Sequence, residues 1–199
     1  MSHVRVRRRG IVAMMREVPT FFQTPRLRVR GFTGDDVESF VSYRADPEVA
    51  RYQSWTDYTI ERGHAFVESL QGSEPGVPGE WFQFALEVRS SGTLVGDLAL
   101  QVDAEEPRQA EVGFTLDRAH QGEGYATEAL RAFLDWLFPT FRLHRIIAVT
   151  DALNAPAARL LEGAGMRREA HFIDNIFFKG AWGSEFLYAI LEEEWASRA

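Results

Sequence analysis

The sequence predicts a single α/β domain built on a mixed sheet, and three observations predict it. Strand-like and helix-like segments follow the order strand, two helices, three strands, helix, strand, helix, two strands. A glycine turn, Gln121-Gly122-Glu123-Gly124-Tyr125-Ala126, joins the alternating run Val112, Phe114, Leu116 to an amphipathic helix that carries Leu130, Phe133, Leu134, Leu137 and Phe138 on one face. Downstream, the β-rich run Arg145–Thr150 leads into a helix opened by Asn154 and Pro156 and closed by Gly165. Strands joined through a helical crossover are parallel, so a parallel pair is expected around the glycine-turn helix.

Taken in order, the first strand is expected at Arg26–Gly31, followed by a helix from Asp35 to about Arg44 that Thr33 caps and Pro47 ends. Tyr52, Gln53, Ser54 and Trp55 form an aromatic loop, and Thr59 opens a second helix reaching Leu70. Gln71–Gly79 reads as a Gly/Pro loop. Trp81–Val88 and Leu94–Val102 read as a hairpin around Ser90-Ser91-Gly92, followed by the Gln109–Leu116 strand. Late strands are expected at Arg168–Phe178 and Phe186–Leu191, bent apart by Gly180-Ala181-Trp182-Gly183.

Composition narrows the chemistry. The 199 residues are 45% hydrophobic, with 15 Phe and 5 Trp, enough for a sizeable core. Without cysteine there is no disulfide, thiolate nucleophile or Cys-based metal site, and the 5 histidines are scattered rather than paired at ligand spacing, so no metal is expected. A net charge of −7 argues against general nucleic-acid binding and favours a cationic partner. No apolar stretch is long enough to span a bilayer, and the basic N-terminus lacks the hydrophobic segment of a secretory signal, so a cytoplasmic location without membrane partners is expected. Arg5, Arg7, Arg8 and Arg9 form a cationic cluster unlike the acidic remainder, read either as an arm for an acidic partner or as a solvated extension.

The glycine turn is where chemistry is expected. Its two glycines leave room for a phosphate group, and the first turn of the helix behind it offers free N–H donors and the positive end of the helix dipole. A Walker loop is excluded because the only lysine is Lys179, and a dinucleotide fingerprint matches poorly because Ala126 and Thr127 follow Gly124. Gln121-x-x-Gly124-x-Ala126, together with Asn154 through Glu162-Gly163-Ala164-Gly165-Met166, resembles the GNAT superfamily of acyl-CoA-dependent N-acetyltransferases. Thr24–Arg30, Trp81–Leu86, Gly96-Asp97-Leu98 and Ala110–Phe114 extend the resemblance to the branch containing bacterial ribosomal-protein N-terminal acetyltransferases.

The resemblance implies a mixed, mostly antiparallel sheet of about six to seven strands with a splayed central parallel pair and helices on both faces. Residues 1–20 would be a basic extension and residues 21–195 a single acetyltransferase domain. Acetyl-CoA would lie along Phe114, Thr115 and Leu116, with its pyrophosphate on Gln121, Gly122, Glu123, Gly124, Tyr125, Ala126 and Thr127. Asn154 would orient the pantetheine arm and Arg159 reach a phosphate, although Asn154 also reads as a helix cap alone. Glu111 is the first candidate to accept the amine proton, with electrostatic holding of a cationic substrate or a sheet-edge ion pair as its alternatives, and His120 is the second. Ala157 stands where this branch often has Ser, Leu161 where other branches have Tyr, and Glu185 where many relatives have Asp, so the usual general acid is missing. Ser184 and Tyr188 are the hydroxyls that could replace it, although Tyr188, in a β-rich run, reads first as core. Tyr52, Trp55, Trp81 and Phe84 are candidate walls of an acceptor pocket. The implied reaction is direct acetyl transfer to a primary amine, on a protein N-terminus or a small molecule, with a homodimer left open. A non-catalytic acyl-CoA sensor is the alternative.

Overall fold

The computed structural model describes residues 18–198, so the Arg5–Arg9 cluster and most of the expected basic extension lie outside the described residues. Eight strands form one sheet: β1 (Thr20–Gln23), β2 (Leu27–Arg30), β3 (Trp81–Val88), β4 (Leu94–Val102), β5 (Gln109–Leu116), β6 (Arg145–Asp151), β7 (Arg167–Phe178) and β8 (Ala181–Leu191). Their order is β1-β2-β3-β4-β5-β6-β8-β7. Among these described strands β5 and β6 pair in parallel and the other neighbouring pairs are antiparallel.

Helices cover both faces because the strands alternate apolar residues to both sides. Phe82, Phe84, Leu86, Leu98, Leu100 and Val112 meet Leu130, Phe133, Leu134 and Leu137 of α4 (Tyr125–Phe141), with Leu161 of α5 (Ala155–Gly163) completing the same core. On the other face, Ala85 and Leu94 pack with Val37, Phe40 and Tyr43 of α1 (Val37–Ala45) and Val67 of α3 (Ile60–Ser69). A short 3-10 turn, Gly34–Asp36, precedes α1 and carries a Thr33–Asp36 capping box. No helix among the described residues is long and apolar enough to cross a membrane.

Four features differ from the sequence reading. β1 adds an eighth strand: its Phe21 and Phe22 both pack against Trp136, so the segment lacks the alternation that announces a strand. Pro47 does not simply end a helix but starts α2 (Pro47–Ala50), because Asp46 caps the Glu48 N–H at 2.8 Å and proline suits a first turn. A terminal helix, α6 (Glu192–Ala196), follows β8 without a glycine or proline to mark its start. Trp182 and Gly183 belong to β8 itself. Lys179 (φ 49°) and Gly180 (φ 85°) alone make the turn, both positive as a two-residue hairpin requires.

Candidate active site

The parallel ladder is short. β5 and β6 pair only at Gln109–Arg145, Ala110–Ile146 and Glu111–Ile147, after which β5 stays with β4 and β6 stays with β8. The backbone edge of Phe114, Thr115 and Leu116 therefore faces a gap instead of a partner strand. A cleft of about 700 Å³ opens there. Its walls include those three residues, the glycine turn, and Val49 and Tyr52 from α2 and the loop after it.

The turn is built to leave donors free. Asp117 Oδ1 accepts from Ala119 N at 3.0 Å and starts a short 3-10 turn, and Gln121 Nε2 donates to Leu116 O at 3.1 Å, tying the turn to the strand end. Gly122 and Gly124 both have φ +82°, a conformation other residues adopt at a cost, and a Cβ on Gly122 would meet nothing within 4 Å. Gly124 is the N-cap of α4 and carries no side chain, so no side-chain oxygen occupies the first amides of the helix. Those amides and the helix dipole suit a diphosphate, and the exposed Arg118 and Arg159 add positive charge on the same cleft. Asn154 Oδ1 caps α5 by accepting from Ala157 N at 3.2 Å while the residue also lines the cleft. The two roles considered for Asn154 are thus compatible.

Glu111 ends the parallel ladder. Burial, and then the neighbouring charge of Glu185, push its carboxyl up from the ordinary glutamate value. The two carboxylates share a face: Glu111 is level with Ile147, and Ile147, Val149 and Asp151 pair with Ala189, Leu187 and Glu185 across β6 and β8. Asn175 Nδ2 donates to Glu185 Oε2 at 2.5 Å. Trp81, Gln101 and Glu111 lie in one row across β3, β4 and β5. This puts the half-exposed Trp81 beside the face Glu111 looks onto.

The remaining candidates fall elsewhere. His120 pairs with Asp117 at 3.2 Å in the short turn beyond the end of β5, next to Gln121 of the glycine turn and away from the end of the strand that carries Glu111. Ser184 shares the α5 side of β8 with Phe186 and Tyr188, opposite to Glu185, and its Oγ accepts from Asp174 N at 3.0 Å. Tyr188 is fully buried with its hydroxyl on Glu162 at 3.0 Å, so it is core. Phe84 is corrected as a pocket wall: it is 0% exposed among Phe21, Phe82, Phe133 and Trp136. Trp55 also turns away from the cleft, stacking on the Arg44 guanidinium at 4.0 Å and donating Nε1–H to Arg44 O at 3.0 Å. Glu123 contributes a backbone carbonyl, which accepts from Arg26 at 2.9 Å. Arg118, Val49 and Arg26 were missed by sequence reasoning. For Val49 the signal existed in Asp46-Pro47, a cap followed by proline; an isolated arginine carries none.

A splayed parallel pair with an uncapped glycine turn at its mouth gives this α/β fold a cleft suited to a long ligand that carries a diphosphate. Residues 26–167 match the family model described as an acetyltransferase (GNAT) domain. The chain belongs to the GNAT acetyltransferase family and is an acetyl-CoA-dependent acetyltransferase. It is 34% identical to the uncharacterized N-acetyltransferase YnaD of Bacillus subtilis (strain 168), over 86% of this chain and 97% of that one. A crystal structure of a GNAT-family acetyltransferase from Bacillus anthracis superimposes with a TM-score of 0.78 at 32% identity, covering 86% of this chain and 98% of that chain. Mycobacterium smegmatis RimJ, solved in complex with CoA-disulfide, superimposes with a TM-score of 0.74 at 25% identity over 84% of this chain and 83% of that chain.

Proposed function

We propose that this enzyme transfers an acetyl group directly to a primary amine, with acetyl-CoA held in the β5–β6 cleft and Glu111 taking up the amine proton. The observation that carries the reading is the register: the gap begins one residue past Glu111, so the carboxyl stands at its closed end. The backbone edge of Phe114–Leu116, whose Leu116 carbonyl also accepts from Gln121 Nε2, is suited to pair with the amides of a pantetheine arm, and the Gly124 turn with Arg118 and Arg159 to take the phosphates. When bound, acetyl-CoA supplies the thioester whose C–S bond breaks as the acceptor nitrogen forms the new amide C–N bond. Glu111 needs a basicity closer to that of an amine than an exposed carboxylate has, and burial beside Glu185 moves it that way. The acceptor enters from the α1–α3 face of the sheet, which Trp81, Gln101, Glu111 and Glu185 share and whose acidic groups favour a cation. It is either a protein N-terminus or a small cationic molecule.

Thiol release from acetyl-CoA, measured against a panel of N-terminal peptides, amino acids and polyamines, tests the reading. Amine-dependent release with one class preferred is the expected result. CoA binding without release above hydrolysis for any amine would overturn transfer and leave a sensor.

A further inference from the structure

The Thr24-Pro25-Arg26-Leu27 segment precedes β2, far from the cleft in sequence, yet it locks onto the back of the glycine turn. Thr24 Oγ1 accepts from Leu27 N at 2.8 Å, which aims its own hydrogen at Glu128 Oε1, 2.5 Å away. Arg26 N donates to the same oxygen at 3.0 Å, and Arg26 Nε donates to Glu128 Oε2 at 2.6 Å. The other arm of the guanidinium, Nη1, donates to the Glu123 carbonyl at 2.9 Å, and the group lies 4.5 Å from the centre of the Tyr125 ring. Arg26 is absent from the cleft walls, whereas Gly124 and Tyr125 are part of them.

Two consequences follow from this geometry. The Glu123 carbonyl belongs to the peptide whose N–H is on Gly124, so fixing that oxygen from outside points the amide toward the cleft. Glu128 lies in the first turn of α4, where its charge would compete with a phosphate for the positive end of the helix. The guanidinium neutralises that charge without entering the cleft. Burial would raise the Glu128 carboxyl, but the bonds from Thr24 and Arg26 hold it below its ordinary value, so it stays charged and dependent on its partner.

We propose that Arg26, oriented through Thr24 and Glu128, is a positioning residue for diphosphate recognition: it sets the turn from behind and cancels the carboxylate that would repel the phosphates. The inference rests on the assignment of the cleft to acetyl-CoA and adds a residue that stands behind the cleft walls.

The test compares CoA with acetyl-pantetheine, a thioester that lacks the diphosphate. Arg26→Gln is expected to weaken CoA binding by calorimetry about tenfold, since it removes the charge-assisted bond to Glu128 and the bond to the Glu123 carbonyl together. With acetyl-pantetheine as donor, kcat/KM should stay within about twofold. Adding Glu128→Gln, which keeps both acceptor bonds at Oε1 and removes the charge, should recover about threefold of the CoA affinity. Thr24→Val, which leaves the arginine in place, should weaken CoA about threefold and serves if Arg26→Gln does not fold. Native protein that binds CoA beside an Arg26→Gln variant that binds it equally well would overturn the inference alone. Equal losses with both thioesters would also overturn it, because they show a general structural role. Native protein that binds no CoA would overturn the cleft assignment and with it the inference.

Discussion

Glu111 and Ile147 form the last pair of the parallel ladder between β5 and β6. One residue further, the two strands answer to different neighbours, so the position of this pair decides where a thioester and an amine can meet. Glu111→Gln keeps the shape and removes the proton acceptor. Expected is a kcat lower by about 10²-fold at neutral pH, with CoA affinity unchanged. The native enzyme should lose kcat as pH falls through the raised Glu111 value, and this acidic limb should vanish in the variant under saturating acceptor. A retained limb would assign it to another group.

The same carboxyl has a measurable effect on stability. Because its value is raised in the folded state, the native fold binds the proton more tightly than the unfolded chain does. The stabilisation this gives is complete below the ordinary glutamate value and is lost as pH rises through the raised one. Above that window the fold holds a partly buried charge beside Glu185. Glu111→Gln should therefore melt at a higher temperature than the native protein at about pH 8 and at the same temperature at about pH 4. A gain at both pH values would mean that packing, not charge, is responsible.

Much of this site is legible in the sequence because its signals are local. Gly122, Gly124, the Asn154 cap and the alternation of β3 to β6 each depend on neighbours a few residues away. The end of the parallel ladder is not legible, since Gln109–Leu116 alternates in the same way with a partner strand or without one. Nor is the influence of the Glu185 charge on Glu111, which depends on β8 inserting between β6 and β7. Aromatic type, with a loop position for Trp55, points Trp55 and Phe84 to a pocket but cannot tell a wall from a core; what decides is the buried Arg44 under one and the α4 aromatics around the other.

Gly124→Val tests the turn. The residue has φ +82° and caps α4, and a Cβ there would lie 3.4 Å from Arg26 Nη2. A β-branched residue in this region costs at least about 1–2 kcal/mol and would shift the turn to avoid it. CoA binding should weaken by at least about tenfold, read by calorimetry, with the unfolding transition still cooperative. Unchanged affinity would remove the diphosphate from this turn.

Asp97 holds a buried network that sequence reading did not anticipate. It is 1% exposed, accepts from Tyr43 Oη, from Arg44 Nη2 at 3.1 Å and from Gln83 Nε2 at 3.2 Å, while Arg44 lies between Trp55 and Phe40. Removing one member strands a buried cation. Asp97→Ala should lower stability in urea by about 3–5 kcal/mol. Trp55→Ala should also destabilise, and it should leave the acceptor KM of the folded protein unchanged; a selective rise in that KM would return Trp55 to the acceptor pocket.

Lys179 ties the two sides of the acceptor face together. Its Nζ donates to the Ala50 carbonyl at 2.5 Å, linking the tip of the β7–β8 hairpin to the C-terminal end of α2. A helix C-terminus presents unsatisfied carbonyls and the negative end of its dipole, so an ammonium is well placed there. Burial lowers the lysine from its ordinary value while the charge of Asp57 opposes the change, as expected for a cation drawn partly out of water. Lys179→Met keeps the length and apolar stem and loses the tether. The hairpin carries Glu185 on its inner strand, so loosening it should raise the acceptor KM about three- to tenfold while kcat at saturation changes by less than about twofold. If the acetyl-CoA KM rose instead and the acceptor KM did not, the tether would be serving the Val49–Tyr52 wall of the cofactor cleft.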